Sequence, residues 1–150
     1  MRTRWASLAL AALAAAPAAA QTRELGLQAV ATASDPAMAG GGVYAAWRPS
    51  RRARISAGAF VGGAGGALAW RGELLAHFLL TPMARRGVGF YGAGGVAGVA
   101  GPAEEGYLVL ALGMETRPGA PSGWFAEAGV GGGARVALGF RRRWAIRTGE

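Results

Sequence analysis

The stretch Leu68-Ala69-Trp70-Arg71-Gly72-Glu73-Leu74-Leu75-Ala76-His77-Phe78-Leu79-Leu80 decides how this chain folds. A strand sends alternate side chains to opposite faces, whereas a helix repeats every 3.6 residues. Read as a strand, the stretch puts Leu68, Trp70, Leu74, Phe78 and Leu80 on one face and Arg71, Glu73 and His77 on the other. A helix would split those three polar residues, with Arg71 on the side opposite Glu73 and His77. They also interrupt the apolar run, so the stretch does not read as a membrane-spanning helix.

The same alternation recurs on both sides of this stretch. Eight segments are bounded by clusters of Gly, Pro, Ser, Asp or Arg: Arg23–Thr32, Gly41–Arg48, Ala53–Gly62, Ala67–Leu80, Gly87–Val99, Gly106–Thr116, Gly123–Gly131 and Ala134–Trp144. In the first, Leu25, Leu27, Ala29 and Ala31 oppose Glu24, Gln28 and Thr32; in the third, Ile55, Ala57, Ala59 and Val61 oppose Arg54, Ser56, Gly58 and Phe60. The sixth sets Leu108, Leu110, Leu112 and Met114 against Tyr107, Gly113 and Glu115. The seventh sets Trp124, Ala126, Ala128 and Val130 against Phe125, Glu127 and Gly129, and the eighth sets Val136, Leu138 and Phe140 against Arg135, Gly139 and Arg141. In the second segment Val43, Ala45 and Trp47 oppose Tyr44 and Arg48, while the fifth is so rich in Gly, Ala and Val that no polar face can be drawn. With 27 glycines, each costing about 1 kcal/mol in a helix relative to alanine, long helices are disfavoured throughout.

The dyad pattern fits two kinds of barrel. In a soluble one the apolar face points inward; in a membrane one it points to lipid and the charges point inward. A soluble exterior carries roughly a quarter to a third charged residues, whereas this chain has 16% and no lysine. The polar face instead carries a few long groups, Arg54, Arg71, Arg135 and Arg141 against Glu24, Glu73, Glu115 and Glu127, among small residues that leave them room to pair. Pairing is required in a confined interior, where an unpaired charge costs several kcal/mol.

The turns sort by charge. The connections after the first, third, fifth and seventh segments contain Ser34-Asp35-Pro36, Gly62 to Gly66, Gly101 to Glu105 and Gly131 to Gly133, with no arginine. The connections after the second, fourth and sixth carry Arg51, Arg52, Arg85, Arg86 and Arg117, and the end of the last segment adds Arg142 and Arg143. In an up-and-down meander these groups fall on one rim, together with both chain ends. Trp47, Trp70, Tyr91, Trp124 and Trp144 lie near segment ends or on the apolar face, as interfacial aromatics do.

Ahead of the first segment stand Arg2 and Arg4, an apolar run from Leu8 to Ala16, Pro17, and Ala18-Ala19-Ala20. These are the charged, apolar and small-residue parts of a cleavable secretory signal, and the run is too short to span a bilayer. Residues 1–20 are therefore expected to be an export signal and residues 21–150 one β-barrel domain. The chain has no cysteine, so an exported domain of this size must be stabilised without disulfides.

Signal, eight alternating glycine-rich segments, short turns and absence of cysteine together resemble the small eight-stranded outer-membrane barrels of the OmpA/OmpX type. The resemblance implies an all-β, eight-stranded, antiparallel up-and-down transmembrane barrel in the outer membrane. Members of that family usually end on an aromatic residue and carry longer loops on the exterior side. Here Phe140 has the outward alternation of a last strand, the sequence continues to Glu150, and the corresponding turns are short.

Little in the sequence points to chemistry. One histidine and no cysteine assemble no metal set, and the glycine clusters lack the strand-to-helix context and Lys-Ser/Thr pair of a phosphate loop. His77 lies about 13 Å along the strand from Glu73, out of hydrogen-bond reach. The expectation is a non-enzymatic monomer without cofactor, its lumen plugged by Glu24, Arg54, Arg71, Glu73, His77, Glu115, Glu127, Arg135 and Arg141. Its partners are outer-membrane lipid and, at the basic periplasmic rim, anionic headgroups. The net charge of +8 brings no nucleic-acid motif with it. Two alternatives stand beside this reading: a soluble periplasmic barrel holding an apolar ligand, and a lipid-modifying barrel enzyme using His77.

Overall fold

The computed structural model describes residues 22–145; the expected export signal lies outside the described residues. Eight strands follow one another: β1 (Thr22–Thr32), β2 (Met38–Arg48), β3 (Ala53–Ala64), β4 (Ala67–Leu79), β5 (Val88–Ala100), β6 (Glu105–Thr116), β7 (Ser122–Val130) and β8 (Ala134–Ala145). Each pairs antiparallel with the next, and β8 pairs with β1, so the sheet closes into a barrel with no free edge strand.

The β3–β4 turn is as tight as its glycines permit. Ala64 pairs with Ala67, leaving Gly65 and Gly66 as a two-residue turn with φ of +56° and +82°. Positive φ at both central positions is the type I′ geometry whose twist matches that of the flanking strands. The strands run somewhat further than the segment pattern indicates: β2 begins at Met38, three residues before Gly41, and β3 ends at Ala64, two residues past Gly62. β8 continues past Phe140, as its segment does, so the basic run Arg141-Arg142-Arg143 is strand.

The faces divide as in a barrel with an apolar exterior. Leu74, Phe78, Leu110 and Leu138 are between 53% and 65% exposed, whereas Glu73 is 7% and Arg135 0% exposed. The interior is mixed: Val30, Phe60 and Ala137 form one apolar cluster, and Leu75, Ala97 and Val109 another. Eight strands enclose a space that side chains just fill.

β5, whose polar face the sequence left undefined, turns Tyr91, Ala93 and Ala97 inward. Its Tyr91 belongs to a recurring device. Tyr44 sits across the sheet from Gly26, Tyr91 from Gly113 and Phe125 from Gly139. A Cβ on any of those three glycines would run into the facing ring. Each lumenal aromatic therefore lies over the neighbouring strand where a side chain is missing, which gives part of the glycine content a packing role.

Candidate functional site

Two charged clusters share the lumen. The first lies toward the end where the strands are joined by the arginine-bearing turns. There Glu24 and Glu115 face Arg48, Arg54, Arg141 and Arg143. Glu24 Oε2 accepts from Arg143 Nε at 3.0 Å and Nη2 at 2.8 Å, and its Oε1 accepts from Tyr44 Oη at 2.9 Å and Arg54 Nη1 at 3.3 Å. Glu115 takes Arg54 Nη1 at 3.3 Å and Arg48 Nη2 at 3.4 Å, and pairs with Arg141 Nε at 3.0 Å. Four guanidinium groups against two carboxylates leave a surplus of positive charge, and backbone oxygens of the β6–β7 turn meet it. Arg141 donates to the carbonyls of Thr116, Arg117 and Ala120 at 3.1 to 3.3 Å, and Arg143 to that of Pro118 at 2.6 Å.

The second cluster is charge-balanced. Arg135 holds Glu73 with two parallel bonds, Nη2 to Oε2 at 2.6 Å and Nε to Oε1 at 3.0 Å, and donates to Glu127 at 2.8 Å. Arg71 Nε reaches Glu73 at 2.7 Å while its Nη2 donates to the carbonyl of Gly131 at 3.2 Å. Tyr91 Oη completes Glu127 at 2.9 Å. Paired arginine forks of this kind are the strongest side-chain contacts available to buried carboxylates.

His77 links Arg54 to Ser56. Arg54 Nη2 is 3.0 Å from His77 Nδ1, and Ser56 Oγ is 2.9 Å from Nε2. A guanidinium only donates, so Nδ1 is the acceptor and Nε2 carries the proton. Nε2 then donates to the serine hydroxyl. A general base requires the reverse, a free Nε2 lone pair facing the hydroxyl hydrogen. Beside this trio a void of about 10 Å³ is lined by Gln28, Ser56 and Phe125 among others, and Gln28 Nε2 has no partner among the described residues. That is room for at most one water. Among the described residues no group of three His, Cys, Asp or Glu is placed to hold a metal.

The expected lumenal residues Glu24, Arg54, Arg71, Glu73, His77, Glu115, Glu127, Arg135 and Arg141 are all buried inside the barrel. Of the expected rim, Arg51, Arg52, Arg85, Arg86, Arg117 and Arg142 are exposed at one end. Arg143 is a correction: it shares the inward face of Arg141 two residues before it, its side chain is 8% exposed, and it pairs with Glu24. Tyr91, expected near an interface, is instead 1% exposed in the lumen. Arg48 and Tyr44 were not expected in the network; both lie on the inward face of β2, and the spacing 44, 46, 48 carries that signal. The opposite end of the barrel presents exposed Asp35, Glu104 and Glu105, the last accepting a hydrogen bond from Tyr107 Oη.

The chain matches no protein-family model and no curated protein. Solved structures do match it. Neisserial surface protein A aligns with a TM-score of 0.48 and 10% identity, over 84% of this chain and 97% of that one. The N-terminal β-barrel domain of Pseudomonas aeruginosa OprF aligns with a TM-score of 0.63 and 12% identity, over 81% of this chain and 97% of that domain. In architecture, then, this chain is a small eight-stranded barrel with the fold of the OprF N-terminal domain.

Proposed function

We propose that this chain, exported by its signal at residues 1–20, is a monomeric outer-membrane barrel with a structural or interaction role, closed to ions and without catalytic activity. One observation carries the reading: the apolar side chains look outward while the charged ones meet inside. On β4 the outward series from Leu68 to Leu80 covers about 40 Å of strand, or roughly 30 Å of height at a tilt near 40°, enough for the hydrocarbon layer. Water would not tolerate so continuous an apolar wall on a monomer.

The alternatives fare worse on the same residues. A soluble ligand carrier needs an apolar cavity, and this lumen is filled by ion pairs and rings around the small void. An enzyme built on His77 needs the opposite tautomer at Ser56. With the chain ends and even-numbered turns toward the periplasm, the basic rim meets the headgroups of the inner leaflet, where each arginine contributes about 1 kcal/mol of attraction to an anionic surface.

Cell fractionation followed by an unboiled gel tests the reading: a heat-modifiable band in the outer-membrane fraction is expected, and a soluble periplasmic protein sinks it. Replacing Arg51, Arg52, Arg85 and Arg86 by glutamine is expected to weaken binding to anionic vesicles without altering the gel shift. Unchanged vesicle binding removes the rim from the proposal.

A further inference from the structure

On the outer wall, between β1 and β4, lies a groove of about 700 Å³. Its floor is made by Ala45 and Ala57, outward residues paired in register on β2 and β3, and Leu74, the β4 partner of Ala57, forms one side. Elsewhere on the wall three successive outward positions of β6 are leucines, Leu108, Leu110 and Leu112, which stand proud of the sheet. The two alanines therefore leave a channel about one side chain deep.

The groove ends at the basic rim on Arg23. In register, Arg23 pairs with Trp47 on β2 and with Trp144 on β8, so one exposed guanidinium is flanked by two indoles. Arg23 forms no ion pair among the described residues, in contrast to the lumenal arginines. A weakly hydrated planar donor fork suits a phosphate oxygen, and indoles favour the layer where hydrocarbon gives way to headgroups.

We propose that this groove seats one anionic phospholipid, its acyl chain lying over Ala45 and Ala57 and its phosphate held by Arg23 between Trp47 and Trp144. The proposal rests on the membrane reading above. It goes further in assigning a single lipid to a particular strip of wall, by charge at one end and shape along the other.

The test uses barrel folded in detergent micelles, mixed with phosphatidylglycerol or phosphatidylethanolamine, and counts retained lipids by native mass spectrometry. One phosphatidylglycerol is expected to stay bound. Arg23→Gln is expected to lower retention roughly fivefold, and Ala57→Leu, which fills the channel and leaves Arg23 intact, to lower it at least as much. Both variants keep the heat-dependent gel shift. Equal retention of the two lipids, or indifference to both substitutions in a barrel that still shifts, overturns this site alone. A dimer that Ala57→Leu dissociates also overturns it, since a second copy then fills the groove. A chain that never enters micelles overturns the membrane reading as well.

Discussion

Around Glu73 and Glu127 two arginines meet two carboxylates, whereas around Glu24 and Glu115 four arginines meet two. The balanced cluster leans mainly on its own side chains: both Arg71 Nε and Arg135 Nε donate to Glu73, and a single carbonyl, that of Gly131, takes a further bond from Arg71. In the cation-rich cluster Nε of Arg48, Arg54 and Arg141 lacks an aligned acceptor among the described residues, and carbonyls at the end of β6 and in the β6–β7 turn supply what carboxylates do not. A buried network can be satisfied by counter-charge or by backbone dipoles, and the second solution ties a connecting turn to the lumen. It also leaves each carboxylate of that cluster holding several like charges apart.

That contrast can be broken by substitution. The largest effect is expected from Glu24→Gln, which leaves four guanidinium groups around the single carboxylate of Glu115. A loss of about 3–5 kcal/mol is expected, read as a lower urea midpoint for the barrel in micelles. Next comes Glu73→Gln, which removes the negative charge shared by Arg71 and Arg135 but leaves Glu127 against two arginines. A loss near the lower end of that range, about 3 kcal/mol, is expected from the same titration. If Glu73→Gln proves the costlier of the two, charge balance is not what separates the clusters. The smallest effect belongs to Arg48→Met, since Arg48 has no close carboxylate contact, lying 3.4 Å from Glu115 and 4.0 Å from Glu24. Removing a surplus cation in favour of an apolar group of similar length is expected to change stability by less than about 1 kcal/mol, in either direction. A loss as large as that of Glu24→Gln would show that Arg48 is not surplus at all.

Strand positions and faces were legible because period two needs only a few polar residues to declare itself, as Arg71, Glu73 and His77 do in β4. β5 was not legible in this way: its inward residues are Tyr91, Ala93 and Ala97, and a background of glycine and alanine gives the eye no contrast. Arg143 was misplaced because it was set with Arg142 on the basic rim, although alternation along a continuing strand gives it the same inward face as Arg141. The lumenal set could be named from alternation, but its pairings could not. Glu24 and Arg54 meet only because closure and register bring β1 and β3 across the same lumen, and sequence spacing carries no trace of that. The His77 tautomer likewise depends on which neighbour reaches Nδ1.

The pairing of β8 with β1 has a consequence for how the molecule is made. Glu24 and Arg143, 119 positions apart in the chain, are clasped across that seam, so the first strand waits for the last before its carboxylate has its strongest partner. Contacts so distant along the chain form slowly, and until they do, both margins of an unfinished sheet are open to any passing strand. A chain cut short before Arg143 lacks the pairing that closes the barrel: the seam works as a buckle, and synthesis of β8 supplies the half that fastens it.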